Sequence, residues 1–243
     1  MLDDFVYNNP ELYELVFPAR GKSDLCVRVF QEHLSEAPRS VLDVGCGTGR
    51  DLAELSKLYP DCVGFDITSA MVVHARKRYP GLTVFVDDMR SCRLGRTFDA
   101  ICALGGCINF ALSNEELQQT IRTYVAHAHE GTLLLLQPLN PCDFFGEFRL
   151  PKTFSVPYKG SEAIGTATYR LAKIEQLVER TRTWRVEAGG GEFADSITFR
   201  VTFPAELSYF LGQNGFEVLE IFETPGSAAY ATQAMYLVAR FTG

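Results

Sequence analysis

Paired cysteines, clustered histidines and long apolar runs are all missing from this sequence of 243 residues. The seven cysteines, at positions 26, 46, 62, 92, 102, 107 and 142, form no C-x-x-C pair, and only four histidines are present. Zinc sites and redox motifs depend on such pairs and clusters, so the pattern indicates neither a metal site nor disulfide chemistry. We expect reduced thiols that pack as small apolar side chains.

Positive charge and membrane-targeting segments are also scarce. The chain has 23 Lys and Arg residues against 30 Asp and Glu, a net charge of −7, which argues against nucleic acid as the main partner because basic surfaces bind phosphate. No run of about 18 apolar residues predicts a transmembrane helix. The first residues lack the basic start and apolar stretch of a signal peptide, so we expect a cytoplasmic protein with no membrane partner.

Short apolar segments alternate with helical patterns in the first 140 or so residues. The predicted strands are SVLDVGC, CVGFDIT, LTVFVDD, FDAICAL and GTLLLLQPL, and helices are predicted before the first strand and between most of the others. This order predicts right-handed βαβ units and a mainly parallel sheet in an α/β fold.

The pattern changes after Pro141. Residues 150–203 have no helical periodicity, and the segments VERTRTWRV and SITFRVTF alternate in polarity on either side of three consecutive glycines. This arrangement predicts an antiparallel β-hairpin. A short helix and two closing strands are predicted after Phe203.

The stretch VLDVGCGTGR at residues 41–50 has glycine at every second position directly after a strand. A strand, a glycine-rich turn and a helix start are the geometry of a nucleotide-type cofactor site, because glycine permits a tight turn and a close approach of the ligand. A purely structural turn is the ordinary alternative. A dinucleotide fingerprint is a third interpretation, but it requires glycine or alanine where this chain has Arg50.

Two carboxylates accompany this loop. Asp43 lies in the preceding strand, and the next strand ends in Asp66. A carboxylate at a strand end can accept hydrogen bonds from both hydroxyls of a ribose. Asp66 therefore supports a site for an adenosine-containing cofactor without choosing between cofactors.

The segments VLDVGCGTGR, GFDIT, VDDMR and FDAICAL occur in the order found in class I S-adenosylmethionine-dependent methyltransferases, and the chain resembles this family. Within it, the chain is most similar to small-molecule enzymes that N,N-dimethylate aminosugars in antibiotic biosynthesis. The shared features are the lead-in from Tyr13 to Arg20, DDMR, INF after the fourth strand and a β cap. The resemblance implies S-adenosylmethionine as cofactor and a small-molecule acceptor.

The resemblance also implies the architecture. We expect a Rossmann-like class I methyltransferase fold, with a mainly parallel seven-stranded sheet, helices on both faces and an antiparallel β cap. Residues 1–243 are interpreted as one domain, with residues 10–141 and 204–243 as the cofactor-binding core and residues 150–203 as an inserted cap over the acceptor site. The sequence leaves open whether the chain forms a homodimer.

The cofactor contacts that the resemblance implies come from most of these motifs. Asp66 would bind the ribose hydroxyls, Asp88 would accept from the adenine amino group, and Arg20 would pair with the methionine carboxylate. The other implied contacts are Tyr13 closing over the methionine end, the loop residues Asp43, Gly45, Gly47 and Gly49, Ile67 and Met71 against adenine, the Met89 backbone on a ring nitrogen, and the Leu104 carbonyl on the ammonium.

Several of these assignments have ordinary alternatives. Asp43 could only brace the loop, Asp66 and Arg20 could be solvated surface charges, and Met71 could be core packing. Asp87 and Asp88 are adjacent, and side chains alternate along a strand, so we expect only one of them to face the site, and the resemblance implies that it is Asp88.

The acceptor contacts are predicted on the cap and on the loop before it. Arg180, Arg182 and Trp184 share one strand face by alternation. The candidate contacts are Phe144, Tyr158, Tyr169, Arg182 and Trp184. An ordinary half-exposed sheet has the same pattern, so Trp184 could instead belong to the core beneath the hairpin.

No catalytic residue is assigned from the sequence. Relatives often have polar or acidic residues where this chain has the Gly105–Cys107 segment and Gln137, which removes two candidate bases near the acceptor. Methyl transfer from a sulfonium depends mainly on alignment, so a base is optional. The acceptor atom can be nitrogen or oxygen. The alternative function is a non-methylating cyclase or isomerase that binds the same cofactor.

The cofactor assignment predicts a selective thermal shift. S-adenosylmethionine or S-adenosylhomocysteine should raise the melting temperature, because a ligand that binds only the folded state stabilises it by mass action. NAD should give no shift. A thermal scan at saturating S-adenosylhomocysteine that matches the scan without ligand would contradict the assignment.

Overall fold

The structure, a computed structural model, describes residues 5–18, 22–145, 152–186, 191–225 and 233–243. The first half contains α1 (Pro10–Val16), α2 (Lys22–His33), β1 (Ser40–Val44), α3 (Arg50–Leu55), β2 (Asp61–Asp66), α4 (Ser69–Arg78), β3 (Thr83–Val86), β4 (Phe98–Ala103), the 3-10 helix η1 (Cys107–Phe110), α5 (Asn114–Ala126) and β5 (Ala128–Leu136). The second half contains α6 (Cys142–Phe145), β6 (Lys152–Tyr158), β7 (Ser161–Ala172), β8 (Leu177–Val186), β9 (Glu192–Arg200), α7 (Pro204–Gly212), β10 (Phe216–Pro225) and β11 (Gln233–Phe241). In this described part of the chain, every helix is too short or too polar to cross a lipid bilayer.

Seven strands form one sheet in the order β10-β11-β5-β4-β1-β2-β3. The pairs among β1 to β5 are parallel, and β11 is antiparallel to both of its neighbours. The inner strands are apolar along nearly their whole length because helices cover both faces, as the burial of β1 and β4 shows. The predicted class I methyltransferase fold is confirmed.

The order of the strands creates a crevice at one edge of the sheet. The chain proceeds from β1 outward to β2 and β3, and then returns to β4 on the other side of β1. The loops that follow β1 and β4 therefore diverge, and ligands of open α/β sheets bind at such a reversal, beyond the carboxyl ends of the strands.

A second sheet contains β6, β7, β8 and β9, which pair antiparallel in that order. The predicted hairpin corresponds to β8 and β9, whose register places Arg182 opposite Asp195 and Trp184 opposite Phe193. On β8 the predicted shared face is buried: Arg180, Arg182 and Trp184 are 7%, 2% and 1% exposed. We refer to this four-stranded sheet as the cap sheet.

Trp184 lies in a buried cluster between the cap sheet and α1. Its indole NH donates to Asp195 Oδ2 at 3.1 Å, and its ring meets Phe154 edge-on with the centroids 5.2 Å apart. A Cβ at Gly165 would lie 2.9 Å from the Trp184 ring, so glycine at that position makes room for the indole. The position favours the core interpretation of Trp184 over direct contact with an acceptor.

One buried amide joins the cap sheet to the core. Asn109 of η1 is fully buried, and its Nδ2 donates to the carbonyl of Arg200 at the end of β9 at 2.6 Å. Its Oδ1 accepts from the backbone NH of Leu139, in the loop after β5, at 2.8 Å. The amide thus holds three segments together that are distant in sequence.

Trp184→Ala should lower the free energy of unfolding by about 3–5 kcal/mol, because it removes a large buried ring and leaves Asp195 with one donor fewer. Urea titration followed by far-ultraviolet circular dichroism measures this, since the variant has no tryptophan fluorescence.

Ile174→Ala is the matched control, because Ile174 is 94% exposed at a hairpin end and its loss should change stability by less than about 0.5 kcal/mol. A Trp184→Ala midpoint equal to that of the control would contradict the core placement.

Candidate functional site

A cavity of about 260 Å³ opens at the carboxyl ends of β1, β2 and β4. Nine of the residues predicted to bind the cofactor line it together: Tyr13, Gly45, Gly47, Asp66, Ile67, Met71, Asp88, Met89 and Leu104. Asp43 and Gly49 lie outside the lining, and Arg20 lies outside the described residues. The sequence motifs thus converge on one cavity.

The glycine loop forms one wall of this cavity. Gly45 has φ +73°, and a Cβ there would lie 2.4 Å from Cys107 Sγ, so only glycine fits against η1. Gly47 has φ +53° and lines the cavity, with no atom closer than the Tyr13 hydroxyl, 4.0 Å from where its Cβ would be. A side chain at Gly47 would take up space in the cavity, which fits a backbone that lies close to a bound molecule.

Gly49 has a packing role instead. Its φ is +74°, and a Cβ would lie 3.1 Å from the Ala75 Cβ of α4 and 3.2 Å from Leu82. The third glycine of the motif therefore lets the loop pack on α4 and the residues that follow it.

Asp66 connects the loops after β1 and β2. Its Oδ2 accepts from the backbone NH of Gly47 at 2.9 Å, and its Oδ1 accepts from that of Thr68 at 2.8 Å. Burial raises the pKa of this carboxyl, while these two hydrogen bonds act in the opposite direction. Because a carboxylate has about four acceptor positions, Asp66 keeps further positions available to a ligand.

Asp43 lies in β1 beneath the loop and is 4% exposed. Burial, together with the negative charges of Asp51 and Asp66, raises its pKa to about 8, although Lys22 acts in the opposite direction. Lys22 Nζ lies 3.2 Å from where a Cβ of Gly105 would be, beside the loop after β4. A cation close to Asp43 favours its ionised form, and Lys22 is the cation that acts on it in this structure.

Both Asp87 and Asp88 line the cavity, whereas only Asp88 was expected to face it. The expectation was wrong because β3 ends at Val86, so the two residues belong to the following loop, where strand alternation no longer applies. Asp87 also fixes this loop, since its Oδ1 accepts from the Asp88 backbone NH at 2.8 Å.

Arg50 fastens α1 over the glycine loop. Its Nη2 donates to the Phe17 carbonyl at 2.7 Å, and its guanidinium carbon lies 5.9 Å from the centre of the Tyr13 ring. Arg50, which does not fit a dinucleotide fingerprint, thus holds α1, the helix that brings Tyr13 to the cavity.

Gln137 supports the glycine pair after β4. Its side-chain oxygen accepts from the Gly105 NH at 2.8 Å, and its carbonyl accepts from the Gly106 NH at 2.9 Å. The amide therefore shapes the loop at the position where related chains often carry an acid.

The five candidate acceptor residues are outside the cavity lining. Trp184, Arg182, Tyr158 and Phe144 are each less than 10% exposed, and Tyr169 is half-buried. Arg182 is engaged with Asp195 Oδ1 through its Nε at 2.8 Å. Alternation showed that residues share a face, but it did not show whether that face is directed at the cavity or at the interior of the cap.

Four further residues, for which no binding role was predicted from the sequence, also line the cavity: Tyr7, Phe110, Leu112 and Thr198. Phe110 belongs to the INF segment, which was a detectable signal, and its ring meets Tyr7 edge-on at 6.0 Å. Thr198 is on β9, on the strand face opposite Ile197 and Phe199. Neither Tyr7 nor Thr198 has a local pattern that could have identified it.

Histidine is absent from the cavity lining in the part of the chain that the structure describes. His127 lies at the amino end of β4, where its Nδ1 is 2.7 Å from the Thr123 carbonyl and its Nε2 accepts from the Leu94 NH at 2.9 Å. These partners require the neutral ring, and burial lowers the pKa of His127. His127 therefore lies away from the cavity.

Comparisons with known proteins agree with this geometry. Residues 41–131 match a methyltransferase domain family. The chain is 28% identical over 186 residues to a dTDP-3-amino-3,4,6-trideoxy-alpha-D-glucopyranose N,N-dimethyltransferase of Streptomyces venezuelae, covering 74% of each chain. It is 29% identical over 181 residues to a dTDP-3-amino-3,6-dideoxy-alpha-D-glucopyranose N,N-dimethyltransferase of Streptomyces fradiae, covering 71% of this chain and 67% of the relative.

A solved structure shows the same fold with its cofactor. An amino pentose methyltransferase from Micromonospora echinaspora, bound to S-adenosylmethionine, has a TM-score of 0.74 at 24% identity and covers 90% of this chain, which covers 89% of that protein. The methyltransferase domain match, the fold and the glycine loop with its two carboxylates together support an S-adenosylmethionine-dependent methyltransferase with the class I fold.

Proposed function

We propose that the enzyme transfers methyl groups from S-adenosylmethionine to the amino nitrogen of a nucleotide-linked aminosugar. The observation that carries this proposal is the similarity to two enzymes named for this reaction, over 186 and 181 residues, far beyond the matched methyltransferase domain. The similarity therefore extends into the second half of the chain, which contains the cap sheet and the closing strands.

The cavity can hold a small acceptor beside the cofactor, because its lining contains more residues than the cofactor assignments use. We propose that Tyr13, Gly45, Gly47, Asp66, Asp88, Met89 and Leu104 hold the cofactor, with Ile67 and Met71 against its base, and that Asp43 and Gly49 act on it only through the loop. The acceptor then binds on the side of the cavity that Tyr7, Phe110 and Thr198 line. Aromatic rings beside hydroxyl groups, here those of Tyr7 and Thr198, suit a sugar ring, which has both apolar faces and hydroxyl groups.

S-adenosylmethionine, when bound, supplies a methyl group on a positively charged sulfur that leaves as a neutral thioether. The residues of this chain contribute alignment and exclusion of water: Arg50 holds α1 and Tyr13 over the glycine loop, and Asn109 holds η1 and the cap sheet against the core. Correct orientation alone can contribute roughly 7–11 kcal/mol to such a reaction. A neutral amine is itself nucleophilic and loses its proton to solvent after transfer, so a histidine base is not required.

The test uses the purified chain, S-adenosylmethionine and a dTDP-3-amino sugar. We expect mass spectrometry to show an acceptor with one and then two added methyl groups, and one S-adenosylhomocysteine formed for each methyl group. The same nucleotide sugar with a hydroxyl in place of the amine is the control and should remain unmodified.

Methylation of the hydroxyl sugar at an equal rate would overturn the choice of nitrogen. Conversion of a substrate without any S-adenosylhomocysteine would instead favour the cyclase or isomerase alternative.

Asp66→Asn should weaken the binding of S-adenosylhomocysteine by about 1.5–3 kcal/mol, because the ribose hydroxyls lose a charged acceptor while the side-chain shape is kept. Isothermal titration calorimetry measures this directly.

Asp61→Asn is the matched control, because Asp61 is at the opposite end of the same strand and pairs with Arg96. If the affinity of Asp66→Asn equals that of the control, Asp66 has no role in cofactor binding.

A further inference from the structure

The guanidinium of Arg90 binds the carboxylate of Asp88 as a fork, through two of its nitrogens. Its Nε lies 2.9 Å from Asp88 Oδ1, and its Nη2 lies 2.6 Å from Asp88 Oδ2. The backbone NH of Arg90 donates to the same Oδ1 at 2.9 Å. Both side chains line the cavity, so this ion pair is part of the surface that a ligand meets.

The guanidinium of Arg90 also bonds to a side chain of α5. Arg90 Nη1 donates to Glu116 Oε1 of α5 at 2.7 Å, and Glu116 Oε2 accepts from the backbone NH of Leu112, also at 2.7 Å. Leu112 itself lines the cavity. The planar guanidinium is therefore fixed at two ends, which lysine could not reproduce because its ammonium lacks the fork.

The hydrogen bonds leave a defined part of Asp88 free. Oδ1 accepts from both the backbone NH and the Nε of Arg90, which uses its two acceptor positions. Oδ2 accepts a short bond from Nη2 and a longer one, 3.1 Å, from the shared Nε. A carboxylate oxygen has two lone pairs, so Oδ2 keeps one well-placed acceptor position for another donor.

We infer that Arg90 is a positioning residue that fixes Asp88 as an ionised acceptor for the exocyclic amino group of the cofactor's adenine. The inference depends on S-adenosylmethionine as cofactor and is independent of the proposed acceptor. A carboxylate held in one orientation selects a base that has a donor at that place, because a base without it gives the charged acceptor no partner where the two meet in the cavity.

The charge state of Asp88 is consistent with this role. Burial acts to raise the pKa of Asp88, but the hydrogen bonds and positive charge of Arg90 outweigh it, and the pKa lies below its ordinary value. Only the ionised form accepts at both oxygens, so Arg90 keeps Asp88 free of a proton that would occupy Oδ2.

The experiment compares two ligands that differ only at the base. One is S-adenosylhomocysteine, and the other is its 6-deamino analogue, in which purine replaces adenine and the ring nitrogens are kept. Calorimetry gives the dissociation constant of each for the unmodified chain, Arg90→Met and Arg90→Lys. The unmodified chain should prefer adenine by about tenfold or more, the range expected for a charged hydrogen bond.

Arg90→Met should reduce this preference by about fivefold or more, because Asp88 loses its fixed orientation and its charge partner. Arg90→Lys, which keeps a charge without the fork, should give an intermediate preference. Arg170→Met is the matched control, because Arg170 pairs with Glu179 on the exposed outside of the cap sheet, and it should leave the preference unchanged.

An unchanged ratio of the two dissociation constants in Arg90→Met would overturn the inference even if both ligands bind more weakly, because a merely structural role weakens both equally. If circular dichroism shows that Arg90→Met is unfolded, an unchanged ratio in Arg90→Lys overturns it. Failure of the unmodified chain to bind S-adenosylhomocysteine would contradict the cofactor instead, so the two failures are distinguishable.

Discussion

Asn109 is fully buried, and each polar atom of its side-chain amide bonds to the backbone of a distant segment. The amide must be paired because an unsatisfied polar group in the interior costs about 1–3 kcal/mol. Its partners, the Arg200 carbonyl and the Leu139 NH, lie on β9 and after β5. Phe110, next to Asn109, and Thr198 of β9 both line the cavity, so the amide stabilises the part of the lining that η1 and β9 contribute.

The core was predictable because its pattern is local. Parallel strands covered on both faces are apolar throughout, and the segments around VLDV and LLLL show this directly. The glycine loop was also recognisable from the sequence, since Gly45 and Gly47 both have positive φ, and Gly45 in addition approaches Cys107 closely. Asp66 follows from the end of β2, where the next residues turn back toward α4. Nine predicted residues converge for this reason.

The wrong or incomplete expectations have two physical causes. Alternation was extended past Val86, where the strand ends, so Asp87 was placed away from the cavity that it lines. On β8, alternation grouped Arg182 with Trp184 correctly but contained no information about what covers that face. Tertiary packing decides what covers this face, and part of the cover is α1, a helix that is far from β8 in the sequence. Thr198, which lines the cavity, is likewise far in the sequence from the other lining residues.

The contact between Gly45 and Cys107 has a consequence for how sequences of this kind can diverge. A side chain at position 45 would have to occupy the volume of the Cys107 sulfur, 2.4 Å from the ideal Cβ position. Because Gly45 also has φ +73°, a smaller residue at position 107 would remove this clash but not the backbone strain of a side chain at position 45. Position 45 is therefore expected to stay glycine whichever residue occupies position 107 as the sequence diverges.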